Sequence, residues 1–154
     1  MGNSNRIIHD ENEKINMLIS MDILRIGLVD DEGFAYIVPV NFAYADNKIY
    51  FHTGLHGKKI PLLKKGMVSF QADKFTGLKT ADTACGHSSY FYSVYGKGNA
   101  EFLKDNNDKT YALDLLMEKY TGKKYNSFPA KTLDITEVVC IHIQSLEARA
   151  HTKA

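Results

Sequence analysis

The chain has only two cysteines, Cys85 and Cys140, in 154 residues. That is too few for a disulfide framework, and a reduced, cytoplasmic setting is the simpler expectation. It also has no excess of charge of one sign: 19 Lys and Arg face 18 Asp and Glu, for a formal net charge of +1. The lysines are spread along the chain, so no global field of the kind that marks nucleic-acid or anionic-membrane binding is present, and any anion site must be local. No apolar run approaches the roughly 20 residues of a membrane span, and the N-terminus "MGNSNRIIHD" is polar where a signal peptide would be hydrophobic. Gly2 does not mark myristoylation, because that motif wants Ser or Thr where this chain has Arg6. A soluble protein without nucleic-acid or membrane partners is expected. No Ser-His-Asp or Cys-His pair has supporting spacing, and the scattered carboxylates do not suggest paired acid–base work.

What is present is one domain's worth of chain, residues 1–154, with 44% hydrophobic and 24% charged composition and neither repeat nor linker. Asp10 followed by Glu13 resembles a capping box, and Ile15, Leu18 and Ile19 recur at helical spacing, which predicts a first helix over about residues 10–20. "ILRIGLVD", the turn "DDEG", a long strand "FAYIVPVNFAYA" and "KIYFHT" predict a three-stranded antiparallel meander. The long strand has a bulky face (Phe34, Tyr36, Val38, Val40, Phe42, Tyr44) and a smaller one (Ala35, Ile37, Pro39, Asn41, Ala43, Ala45). Pro39 removes a ladder donor, which predicts a sheet edge, a bulge or a non-strand neighbour. Pro61 is tolerated only in a first helical turn, so a short helix is expected from about Lys58.

"MVSFQADK" and "YFYSVYGKGNAEFL" predict two more strands around a long loop over residues 75–89. A helix capped by Asn107 or Asp108 should bury Ala112, Leu115, Leu116 and Tyr120 and stop at Gly122. "TEVVCIHIQSL" is the last expected strand. The fold class is mainly β: a six-stranded antiparallel split β-barrel with peripheral helices.

"HTGLHGKK" concentrates candidate chemistry. A helix starting at Lys58 presents free N–H groups, and two lysines add cations, so a phosphate fits there. The spacing is not that of a P-loop. On composition alone, solvated lysines are the blander reading. Cys85-Gly-His87 and Cys140-Ile-His142 could supply four zinc ligands, but structural zinc sites usually use Cys-x₂₋₄-Cys knuckles, and a small Cys in an apolar strand is ordinary; no metal is expected. Gly96 and Gly98 in "GKGNAE" open no helix and make no dinucleotide fingerprint; they mark a bulge or a close backbone approach. Tyr90, Phe91, Tyr92 and Tyr95 suit a barrel core and an apolar interface better than a stacking platform for nucleic acid, since basic residues are not interleaved.

Taken in order, "YIVPVNFAY", "IYFHTGLHGKK", "MVSFQAD" and "YSVYGKGNAEF" resemble the pyridoxamine 5′-phosphate oxidase-like, FMN-binding split-barrel superfamily, and within it the nitroimidazole-resistance branch. The resemblance implies a homodimer with flavin in the groove between barrels. Val38, Pro39 and Val40 match the strand along the isoalloxazine ring, His52 and Thr53 the strand end beside ring and ribityl chain, and Lys58 and Lys59 the basic pair on the FMN phosphate. Ser93 matches the dimer-side wall. The implied activity is an FMN-dependent oxidoreductase, with FAD the other flavin open, passing electrons from a donor such as NAD(P)H to a small acceptor such as a nitroaromatic. His52 would act near the acceptor. The alternative is a flavin-binding or storage protein without turnover, or a binder of another cofactor on the same barrel. The chain has no Trp, whereas pyridoxamine phosphate oxidases have a Trp-containing segment before an Arg-x-His substrate motif. Arg149-Ala-His151 has that spelling at an end expected to fray.

Overall fold

A computed structural model describes residues 4–153. In chain order the elements are β1 (Ile7–Ile8), α1 (Glu11–Ile19), β2 (Leu24–Val29), β3 (Ala35–Val40), β4 (Ala43–Ala45), β5 (Lys48–Gly54), α2 (Lys59–Leu63), β6 (Met67–Lys79), β7 (Ser88–Phe102), α3 (Asn106–Thr121), α4 (Ala130–Asp134) and β8 (Thr136–His151). Asp10 caps α1 as expected, its carboxylate accepting the Glu13 N–H at 2.8 Å. Gly122 ends α3 in the left-handed conformation, φ +80°. The cap of α3 is Asp105, not Asn107 or Asp108: its carboxylate accepts the N–H groups of both, at 2.8 and 3.3 Å. The buried residues of that helix are Ala112, Leu113, Asp114 and Leu116, while the Tyr120 ring is 40% exposed.

All strand pairings are antiparallel, in the order β3-β2-β6-β7-β8-β5-β4, with β1 added to β8. The expected long strand is broken. β3 pairs with β2 at one edge and β4 with β5 at the other, although only Asn41 and Phe42 separate them. The two edges of one curled sheet therefore meet at a kink without a ladder between them, which is the split of a split barrel, and the meander is not formed. The kink is held from a distance: the Phe42 N–H donates to Tyr120 Oη at 3.1 Å, and that hydroxyl lies 2.6 Å from the Asp22 carbonyl. Pro39 lies on the edge strand, where a missing donor is tolerated.

Two further boundaries differ from expectation. Nearly half of the 75–89 segment is strand: β6 and β7 continue as a ribbon through a bulge at Thr76, so the connecting loop shrinks to residues 80–87. Its alternating aromatics pair as strand residues do, Phe75 opposite Phe91 and Lys74 opposite Tyr92. The last strand runs to His151 instead of fraying, because β8 has β7 on one side and β1 on the other; Arg149 pairs with both Ser93 and Ile7.

The barrel core is built from Phe42, Phe51, Phe70, Leu24, Ile26 and their neighbours, and a smaller core lies beneath α3. Cys140 packs in the second core, whereas Cys85 is exposed. At Gly96 a Cβ would collide with the edge of the Phe70 ring and fall 2.5 Å from the Ser145 carbonyl oxygen. Close backbone approach is thus the reason for that glycine, and the β7–β8 register shifts at Lys97/Gly98. Among the described residues no helix is long and apolar enough to cross a membrane.

Candidate functional site

The expected phosphate residues lie where β5 turns into α2. Alternation along β5 puts Phe51 and Thr53 on the buried side and His52 on the exposed side. Thr53 is 6% exposed, and among the described residues its Oγ1 is the buried side-chain polar atom with no hydrogen-bond partner. An unpaired buried hydroxyl is unfavourable, so it points to a group still to be supplied. His52 is held below the ordinary histidine value by desolvation first and by the charge of Lys59 second, which favours a neutral imidazole at neutral pH.

Gly57, at φ +116°, turns the chain into α2, and Lys58 precedes the first helical residue. α2 is only five residues long, so the anion preference of this end rests on side-chain charge more than on a helix dipole. Lys58 Nζ lies 3.0 Å from Asp30 Oδ2 and 5.0 Å from the centre of the Tyr36 ring. Asp30 also accepts the N–H groups of Glu32 and Phe34, at 3.1 and 2.9 Å. The Phe34 N–H first, then Lys58, and least the Glu32 N–H hold its carboxyl below the usual range. Neither Asp30 nor Tyr36 was singled out in the sequence; the only signal was the acidic turn "DDEG", which reads as turn chemistry alone.

Val38 and Val40 pack half-buried against the barrel core, while Pro39 faces out. The outer surface beside them is hollow because Gly27 and Ser69 carry little or no side chain. Arg25, Ile37, Gln71 and Tyr95 complete a largely apolar cavity of about 250 Å³. Ile37 is 60% exposed at its rim.

Ser93 is not brought to this site within one chain. It pairs with Arg149, whereas His52 pairs with Val138, eleven residues away along β8. Ser93 instead lines a second cavity of about 230 Å³, with Ile7, Lys14, Glu147, Arg149 and Tyr95, the last shared with the hollow beside β3. Arg149 and His151, spelled like a substrate motif, are strand residues here, and His151 Nδ1 lies 2.7 Å from the Ser89 carbonyl oxygen.

An antiparallel sheet whose two edges meet unpaired at a kink, with a basic turn at one strand end, defines a split-barrel protein with a candidate anion site. The chain belongs to the pyridoxamine 5′-phosphate oxidase family, whose model matches residues 10–150. It is similar to a candidate 5-nitroimidazole antibiotic resistance protein from Bacteroides thetaiotaomicron: 27% identity, 93% of this chain and 85% of that one, TM-score 0.82. An FAD- and heme-binding protein from Mycobacterium smegmatis matches over 96% of this chain and 74% of that one, at 16% identity and TM-score 0.84. An FAD-binding protein from Mesorhizobium loti matches over 96% and 98%, at 22% identity and TM-score 0.71. At those identities the last two speak to the fold. No curated protein sequence matches the chain.

Proposed function

We propose that the chain is a homodimeric FMN-binding reductase that passes electrons to a small acceptor of the nitroaromatic class. The observation that carries this reading is the family match over residues 10–150, with the residue types that family implies falling at one strand end and one sheet edge. The resemblance to a candidate nitroimidazole-resistance protein favours the acceptor class, and FAD-binding proteins on the same fold favour a flavin, with FMN the one that the family resemblance implies. The residues fit FMN: Thr53 has an orphaned hydroxyl, Lys58 and Lys59 supply cationic donors, and Val38, Pro39 and Val40 lie on an edge strand beside an apolar hollow.

Flavin, when bound, supplies the electron transfer. The chain's residues do the rest. Lysine charge and the Thr53 hydroxyl bind the phosphate end. The β3 backbone orients the ring, and the exposed side of His52 offers a neutral imidazole that can donate or accept a hydrogen bond at the acceptor. Ser93 favours a two-chain site: its β8 partner Arg149 lies eleven residues from Val138, the partner of His52, so a groove lined by both Ser93 and His52 would take one of them from a second copy.

The test is anaerobic reduction of nitroimidazole by the FMN-loaded protein with NADH or NADPH, together with light scattering. Turnover that falls in His52→Ala without loss of FMN, and a mass twice the 17.3 kDa chain, are the expected results. Full flavin occupancy with negligible turnover would favour a flavin-storage protein, and a monomer that holds flavin tightly would remove the two-chain site.

A further inference from the structure

The two adjacent lysines are not in equivalent settings. Lys58 is paired with Asp30 at 3.0 Å, with the two side chains 56% and 12% exposed, and its ammonium also sits over the Tyr36 ring. Asp30 is in turn fixed by two backbone N–H groups of its own turn. The pair ties the start of α2 to the β2–β3 turn, 28 residues away in sequence, and its two charges cancel. Lys59 is half-buried, and among the described residues it makes no ion pair. It is Lys59 whose charge adds to the depression of His52. Neighbouring helical residues point about 100° apart, so one lysine can face the β2–β3 turn while the next faces the His52 side of β5.

For Lys58 to serve a phosphate it would have to leave Asp30 and the Tyr36 ring, giving up the contact that joins the start of α2 to the β2–β3 turn. Lys59 has no such tie. We infer that the two residues divide the work: Lys59 is the phosphate ligand and sets the preference for FMN over riboflavin, while Lys58, locked by Asp30, is a positioning residue that holds the β5–α2 turn in place. This rests on the flavin reading, but it departs from a clamp in which both lysines grip the phosphate.

The test is titration of FMN and riboflavin into the flavin-free parent, Lys58→Ala, Lys59→Ala, Lys59→Arg and Asp30→Asn, read by quenching of flavin fluorescence. Lys59→Ala should lose about tenfold or more in FMN affinity, with riboflavin changed by less than about threefold. Lys59→Arg should recover most of the loss. Lys58→Ala and Asp30→Asn should shift both ligands by a common factor, leaving the FMN:riboflavin ratio within about threefold of the parent's. In flavin-free protein, the combination of Lys58→Ala and Asp30→Asn should lower the unfolding temperature by less than the sum of the two single variants, because both break the same ion pair. A selective loss of FMN in Lys58→Ala as large as that in Lys59→Ala would overturn the division while leaving flavin binding intact. A parent that binds neither flavin would overturn the flavin reading and this inference with it.

Discussion

Replacing Thr53 by Val separates a hydroxyl kept for a ligand from one kept for the fold. Thr53 is 6% exposed on β5, and its Oγ1 has no partner among the described residues. Leaving a buried hydroxyl unpaired costs about 1–3 kcal/mol, and Val preserves the β-branched shape that a strand position favours while removing the polar atom. In flavin-free protein the substitution should therefore stabilise, by about 1–2 kcal/mol. For a chain of this size, each kcal/mol raises the unfolding temperature by about 2–4 °C. FMN should reverse the order. If Oγ1 donates to the phosphate, that charge-assisted bond contributes about 1.5–3 kcal/mol, so Thr53→Val should bind FMN roughly 10- to 150-fold more weakly. The assay is thermal unfolding by circular dichroism with and without saturating FMN, plus a fluorescence titration. A lower unfolding temperature in flavin-free Thr53→Val would mean that the hydroxyl already has a partner, and unchanged FMN affinity would mean that it is no ligand.

Three other outcomes follow from the same structure. Lys119, whose Nζ lies 2.7 Å from the Met21 carbonyl oxygen and 3.5 Å from the Phe42 ring centre, is lowered by burial to about 8. Between that value and the ordinary 10.5 the unfolded chain binds more protons than the folded one, so the parent should gain stability from pH 8 to 10; Lys119→Met should lack this gain, and parallel curves in urea unfolding would refute it. His52, lowered from 6.5, has the same sign in a lower window: stability is full above 6.5 and declines as pH falls towards the folded value. His52→Gln should lose less stability than the parent between pH 7 and 5, and equal losses would contradict the shift. Gly96→Ala pushes a methyl against the Phe70 ring and the Ser145 carbonyl oxygen; because the backbone oxygen cannot yield, a loss of about 3 kcal/mol or more is expected in urea unfolding, and a loss under about 1 kcal/mol would show that the sheet relaxes.

Local chemistry was legible wherever the partner lies close in the chain. Asp10 and Glu13 announce the start of α1 and Gly122 the end of α3, because each signal and its cause sit within a few residues, while Pro39 left an edge, a bulge or a non-strand neighbour open and the sheet order makes it an edge. The kink between Val40 and Ala43 was not legible, because the group that satisfies its backbone belongs to Tyr120, 78 residues further on. Alternation alone therefore carried the strand straight through. The ends of the 75–89 segment misled while its middle, residues 80–87, is the loop expected: around Gly77 the sequence reads as loop, whereas ladder pairing with β7 holds residues as far as Lys79 extended. At the candidate site the sequence marks Lys58 and Lys59 as a pair. Only the structure separates them, since the carboxylate that engages Lys58 is hidden in a turn 28 residues earlier. The eleven-residue displacement of Ser93 from His52 along β8 likewise needed the register.

The central claim is that the fold holds flavin mononucleotide by its phosphate, and the most direct measurement is FMN titration of the purified, flavin-free protein with riboflavin as the parallel ligand. Saturable quenching of FMN fluorescence at one flavin per chain is expected, with riboflavin at least about tenfold weaker because it lacks the phosphate that lysine charge would bind. Unquenched FMN, or riboflavin bound as tightly as FMN, would contradict it.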